Sequence, residues 1–177
     1  MKIFDCFMYF DEDVVLDLRL NTLDKYVDYF VIVESCFTHK GDKRKLKFNL
    51  EKFSKFKNKI IYLVYDQEPK NIKIINDDES EKEKSIKYIL NAAYRENGQR
   101  NFIATGLDKA EKEDLIFISD VDEIPNLENL DLKNIEEKLL LFKQDMFYYK
   151  FNLRMPGLIW SGTKACKKKD LLNPQWL

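Results

Sequence analysis

The sequence predicts an α/β sandwich: a mostly parallel central sheet flanked by helices. Three observations predict it. "KIFDCFMYF" and "DYFVIVES" are short apolar runs, and between them Leu16, Leu20, Leu23 and Val27 recur at helical spacing. "KIIYLVYD" and "LIFIS" repeat the apolar-run pattern further along the chain. A second helical face, Ile86, Ile89, Leu90 and Ala93, separates those two. Strands alternating with helices bury their apolar faces as helices on both sides of one sheet.

The elements follow in order. Residues 2–10 are the first strand. Acidic residues interrupt the apolar run too early for a secretory leader. Residues 12–26 carry the first apolar stripe and form a helix. Residues 28–35 are rich in β-branched and aromatic side chains, so they return as a second strand, parallel to the first. Residues 38–48, "THKGDKRKLKF", form a basic loop, and 59–66 a third, buried strand. Residues 67–84 mix charges without a period and read as an exposed loop. The helix from Ile86 meets Gly98, expected to kink or interrupt it, and a further helical piece covers 99–110. "LIFIS" is the fourth strand. Residues 131–143 read as a helix, and 145–155 and 157–165 as aromatic strand segments. No repeat or linker divides the 177 residues, which suit a single domain.

Composition bounds the function. Hydrophobic residues make up 45 % of the chain, enough for a core, and aromatics 14 %, so either that core or a binding cleft is ring-rich. The formal net charge is −1, which gives no case for nucleic-acid binding. Cys6, Cys36 and Cys166 are odd in number and widely spaced, so they read as reduced thiols rather than a disulfide frame or a zinc site. No run approaches the ~20 apolar residues of a membrane span. The expected setting is therefore the cytoplasm.

The chemistry gathers in "DLIFISDVDEIPN", residues 114–126. A dry strand ends in Asp120, Asp122 and Glu123, and Pro125 closes the segment. In open α/β sheets ligands bind beyond the carboxyl ends of the strands, which is where these carboxylates fall. Hard divalent cations take carboxylate oxygen and bridge it to substrate phosphates. A solvated, idle strand exit is the plain alternative, and a bare Asp-x-Asp does not exclude it.

Together, "FDCFMYFDEDVVLDLRLNTLDKYVDYFVIVES", "RENGQRNFIATGL", "DLIFISDVDEIPN" and "WSGTK" resemble glycosyltransferase family 17 in sequence and order, over roughly residues 3–165. The resemblance implies a GT-A-like, Rossmann-type fold and inverting transfer from UDP-GlcNAc to a glycan acceptor, with Mn²⁺ or Mg²⁺. Asp120 and Asp122 would then be the metal-binding motif, with Asp120 also near the ribose or a metal-bound water. Glu34 and Ser35 would lie near the uracil or ribose, followed by Thr38, His39 and Lys40 on the basic loop. Of the polar helix group Arg95, Glu96, Gln99 and Arg100, one arginine, Arg100 ahead of Arg95, would face the diphosphate; pairing along the helix surface is the plain alternative. Trp160, Gly162 and Thr163 would line the sugar or acceptor surface. The base is open between Asp145 and Glu123. Family members continue past the equivalent of Thr163 and carry a late histidine. His39 is the sole histidine here, so the chain reads as lacking the family's C-terminal part. Two other functions compete: a degenerate domain that binds a nucleotide sugar or glycan without turnover, and a metal-dependent phosphohydrolase. Phosphohydrolases of the haloacid dehalogenase type place their motif on the first strand, which fits residue 120 poorly.

Overall fold

The computed structural model describes residues 1–150 and 152–177. Its core is one six-stranded sheet with helices on its faces. In chain order the elements are β1 (Ile3–Tyr9), α1 (Asp13–Leu23), β2 (Tyr29–Ser35), β3 (Ile60–Tyr65), α2 (Glu81–Phe102), β4 (Leu115–Ser119), β5 (Leu140–Phe147) and β6 (Arg154–Lys167). The strand order is β3-β2-β1-β4-β6-β5. β1 is parallel to β2 and to β4, and β2 to β3. β6 runs antiparallel to β4 and to β5. The sheet is therefore mixed, and the mostly parallel expectation holds only for its first four strands. Only residues 148–153 separate β5 from β6, too few for a crossover, so the chain can return only antiparallel.

The period-two alternation of the central strands sorts the core into two layers. Ile3, Phe7 and Tyr9 of β1, Phe30 and Ile32 of β2, and Leu115 and Phe117 of β4 face α1 and the 3₁₀ segment Leu50–Phe56. They meet Leu16, Leu20, Leu23, Phe53 and Phe56 there. Phe4, Cys6, Val31, Val33, Ile116 and Ile118 face the other way, onto Ile103, Leu107, Cys166 and Leu177. Asp5 and Ser119 belong by parity to the α1 face, as does Glu34, and this parity governs the site.

Several expectations change. Residues 131–143 are not a helix. A 3₁₀ turn at Leu132–Asn134 leads into β5, whose pairing with β6 overrides the local pattern. The strand expected over 145–155 divides: β5 ends at Phe147, Tyr148 N donates to the Leu153 carbonyl across the turn, and β6 starts at Arg154. Phe151, inside that expected strand, lies outside the described residues. α2 begins within the expected loop at 67–84, because Ser80 and Glu83 form a reciprocal capping box. It runs through Gly98 without a break to Phe102, and a 3₁₀ turn, Ile103–Gly106, replaces the separate helical piece. Gly98 serves packing instead: a Cβ there would strike the Tyr65 hydroxyl. No helix among the described residues is long and apolar enough to cross a membrane.

Candidate active site

β4 delivers Ser119 to the carboxyl edge of the sheet, where residues 120–123 turn sharply. Glu123 N donates to the Asp120 carbonyl at 3.1 Å, and Ile124 N to that of Asp122 at 3.1 Å. The Glu123 carboxylate reaches back to accept from Asp120 N at 2.9 Å, so it caps the turn it closes. Val121 is buried and points into the core, while Asp120 and Asp122 are exposed. One apolar anchor between two acids thus turns both acids outward.

Two large clefts meet at this turn, beside a smaller one of about 270 Å³ between Arg100, Trp160 and Gln175. The larger, about 850 Å³, lies over the ends of β1 and β4 between Tyr9, Phe10, the 38–42 loop and Gln99, and includes Asp120 and Asp122. The second, about 530 Å³, lies between the same two acids and the β5–β6 hairpin, with Gln144, Asp145, Tyr148, Tyr149 and Trp160 in its wall. Asp120 and Asp122 therefore stand on the shared rim of two cavities, each large enough for a ligand of its own.

The turn is tied from several sides. Arg100 of α2 donates to the Asp120 carboxylate at 2.9 Å and to Glu96 at 3.2 Å. The indole N–H of Trp160 donates to Glu123 Oε1 at 2.6 Å, and the Thr163 hydroxyl to the Glu123 carbonyl at 2.6 Å. From beneath comes Arg19 of α1. Its guanidinium pairs with Asp5 at 2.6 and 2.8 Å, and donates to the carbonyls of Asp120, Val121 and Glu123 and to the Ser119 hydroxyl. Among the described residues, no side chain bonds the Asp122 carboxylate, which faces solvent.

The residues expected near the nucleotide fall into two groups. Glu34 is fully buried, and its oxygens accept from Lys47 N, Phe48 N and the Tyr62 hydroxyl at 2.7–3.0 Å. Arg44 pairs with it at 2.9 Å and also binds the Ser35 and Phe10 carbonyls. Its guanidinium lies 3.9 Å over the Phe10 ring. Ser35 is buried too, its hydroxyl accepting from Phe37 N. Burial, together with the hydrogen bond to Glu34, pushes the Tyr62 phenol above its ordinary range. Glu34 and Ser35 thus fasten the basic loop to the strand end. Arg95 does the same for the 38–42 loop: it pairs with Glu68 at 2.9 Å and donates to the His39 carbonyl at 3.1 Å. Gly41, at a φ of +99°, lets the loop turn against that guanidinium, where a side chain would collide. Thr38, His39 and Lys40 line the larger cleft, whereas Arg100 stands at the turn.

Of the two base candidates, Glu123 has both oxygens engaged. Asp145, on β5, is half-exposed in the wall of the second cleft and pairs with Arg154 at 2.7 Å. Gln144, beside it, accepts from Thr163 N at 2.8 Å, and Gly162 leaves the space that its amide fills.

Asp5, Arg19, Ser119 and Arg44 are the residues that the sequence reasoning passed over. Their signals were present. Asp5 is the one charge inside the first apolar strand, and Arg19 sits on the Leu16–Leu20–Leu23 stripe, where a solvated residue does not belong. The donor set also limits what cation the site fits. Among the described residues no three His, Cys, Asp or Glu side chains converge. Two hard carboxylates suit Mg²⁺ or Mn²⁺, which take one or two protein carboxylates and complete their shell with water and substrate phosphates.

The chain thus combines a mixed α/β sheet with two acids at a strand end, on the rim between two clefts. The sequence pattern of glycosyltransferase family 17 matches residues 1–169, and the chain belongs to that family. It is a glycosyltransferase, and its substrates are a nucleotide sugar and an acceptor. Among curated proteins and solved structures, none matches the chain significantly.

Proposed function

We propose that this glycosyltransferase moves GlcNAc from UDP-GlcNAc to a glycan acceptor with inversion, and that Asp120 and Asp122 hold the Mn²⁺ or Mg²⁺ it requires. One observation supports this above the others: an unpartnered carboxylate, Asp122, stands beside Asp120 on the common rim of two clefts. The donor occupies the larger cleft, its uridine towards Phe10 and the loop of Thr38, His39 and Lys40, its diphosphate at the turn. When bound, the cation neutralises the charge that grows on the departing diphosphate.

The chain's own residues do the rest. Arg100 is placed to exchange its bond to Asp120 for diphosphate oxygens, which its planar fork fits. The acceptor lies in the second cleft, its rings against Tyr149 and Trp160. Inversion places the base on the acceptor's side of the anomeric carbon. Asp145 lies on that side with an exposed carboxylate, and it takes the proton from the attacking hydroxyl. Glu123 holds Trp160 and the turn in place.

Calorimetric titration of UDP-GlcNAc into wild type and Asp122→Asn, with Mn²⁺ and with EDTA, tests the reading. Binding that needs Mn²⁺ and is lost in Asp122→Asn is expected, with UDP released once an acceptor is supplied. Folded wild type that binds no donor in Mn²⁺ would refute it, and phosphate released from simple phosphate esters, without sugar transfer, would point to a hydrolase.

A further inference from the structure

We infer that the buried Arg19–Asp5 pair is a positioning device that sets how Asp120 and Asp122 present themselves to a cation. The inference rests on the proposed role of that turn.

Asp5 sits in the middle of β1, in register with Phe30 on one side and Phe117 on the other. Arg19 sits on the apolar face of α1, and both side chains are 0 % exposed. Taking two charges out of water is unfavourable, and well-packed apolar side chains of the same volume commonly serve stability as well or better. The pair therefore calls for an explanation other than stability, and its geometry supplies one. Asp5 takes Nε and one N–H of the guanidinium, in the bidentate arrangement that fixes the plane of the group. The Phe7 ring lies 4.5 Å from that plane's centre and limits its movement. The remaining N–H groups then have one direction left, and it is the turn. They meet the carbonyls of Asp120 at 3.0 Å, Val121 at 3.2 Å and Glu123 at 3.0 Å, and the Ser119 hydroxyl at 2.6 Å.

Two consequences follow for a cation. With three carbonyls drawn inward to one guanidinium, the backbone of residues 120–123 has a single arrangement, and Asp120 and Asp122 are held outward at a fixed separation. A lone arginine here would also place a positive charge beneath the cation. Asp5 cancels it, so the turn gains donors without losing its negative field. Arg19 and Asp5 touch neither substrate nor cation. They act through the backbone.

The test uses Mn²⁺ alone as probe. Free Mn²⁺ is followed by electron paramagnetic resonance in titrations of wild type, Arg19→Lys and the double variant Asp5→Leu/Arg19→Met. Thermal midpoints and the amide resonances of residues 119–124 are recorded for each. The double variant refills the space with apolar groups, so it leaves no buried charge to unfold the chain. Its Mn²⁺ dissociation constant is expected to rise by roughly tenfold or more, the range of outer-shell substitutions at metal sites. The amides of 120–123 should shift, and the midpoint should fall only moderately, because the turn carbonyls lose their donors but no charge is left buried. Arg19→Lys, which restores a charge but not the fork, should fall between. A folded double variant with wild-type Mn²⁺ affinity and unshifted amides would overturn the inference. Should wild type itself take up no Mn²⁺, the cation site of the proposed function fails on its own. The amides then decide the positioning claim: shifts confined to the turn uphold it, and their absence overturns it.

Discussion

Glu34 distinguishes two accounts of the strand end with one substitution. If its carboxylate contacts the nucleotide, Glu34→Gln weakens donor binding and leaves the fold alone. If it anchors the basic loop, the fold suffers first. The structure supplies the magnitude. Glu34 is 0 % exposed and its partner Arg44 only 9 %. Replacing the acid by its amide keeps the shape but leaves the guanidinium without a counter-charge. It also sets an amide NH₂ among the donors of Lys47 N, Phe48 N and Tyr62. Removing one member of a buried pair costs about 3–5 kcal/mol, and Gln keeps one acceptor, so about 3 kcal/mol is the working figure. For a chain of this size each kcal/mol moves the midpoint by about 2–4 °C, which gives a fall of about 6–12 °C. Thermal unfolding by circular dichroism reads it directly. The donor KM should rise as well, because Arg44 holds Phe10, which lines the larger cleft, while kcat changes less. A Glu34→Gln protein that melts within about 2 °C of wild type would refute the anchoring argument, since a lost buried pair cannot be so mild.

Three further outcomes are expected. Trp160→Phe keeps the ring but removes the indole N–H that Glu123 accepts at 2.6 Å. Stability should change by less than about 1 kcal/mol, while kcat falls more than donor KM rises; unchanged kinetics with donor and acceptor would show that Glu123 needs no such hold. The thiols should divide in mass-spectrometric alkylation of the native protein at mildly alkaline pH. Cys36, partly exposed, is labelled first, whereas burial pushes Cys166 up to about 11 and holds Cys6 high as well, so both wait for unfolding. Lys52 and the Tyr9 hydroxyl hold the Asp13 carboxyl below its ordinary value. A depressed carboxylate contributes stability that is present above the unfolded pKa and is lost as pH falls through the folded one. Asp13→Asn should therefore lose stability at neutral pH and flatten the acid limb of a midpoint-against-pH curve; an unchanged acid limb would show that the pair is not felt.

Much of this architecture is legible in sequence because the central strands are bounded by the signals that define strands. Apolar runs of five to seven residues, with a helical stripe between the first two, leave little choice but β1, α1 and β2. The carboxylates were legible for the same reason: acids directly after a dry run mark a strand end. β5 was not. Leu139, Leu140, Leu141 and Phe142 read equally well as a helix face or as a strand, and only pairing with β6, more than ten residues further on, decides. Glu34 was placed correctly at the strand end, but its parity was not used. It shares a face with Phe30 and Ile32, so it points into the layer where Phe48 stacks on Tyr62 at 4.5 Å. Arg19 was hidden by its own stripe: the leucines at 16, 20 and 23 define the buried face, and the arginine among them is buried with them.

The parity of β4 also explains why the turn is gripped differently from its two sides. Ser119 continues the Leu115–Phe117 series, so the α1 face meets the turn from beneath, where the buried Arg19 holds the Ser119 hydroxyl and the turn carbonyls. The Ile116–Ile118 face meets α2, whose Arg100 reaches over the edge to a side chain. That bond joins an Asp120 carboxylate about half exposed to solvent. An exposed ion pair contributes little, at most about 1 kcal/mol, and exchanges readily. A buried, fork-shaped set of bonds does not. The turn thus combines a rigid backbone with a replaceable side-chain partner. Such a division suits the donor site proposed above: the acids would keep their places while Arg100 left Asp120 for an incoming diphosphate. An arginine buried on both sides would have fixed the acids in a closed pair, and one exposed on both sides would have left their spacing to chance.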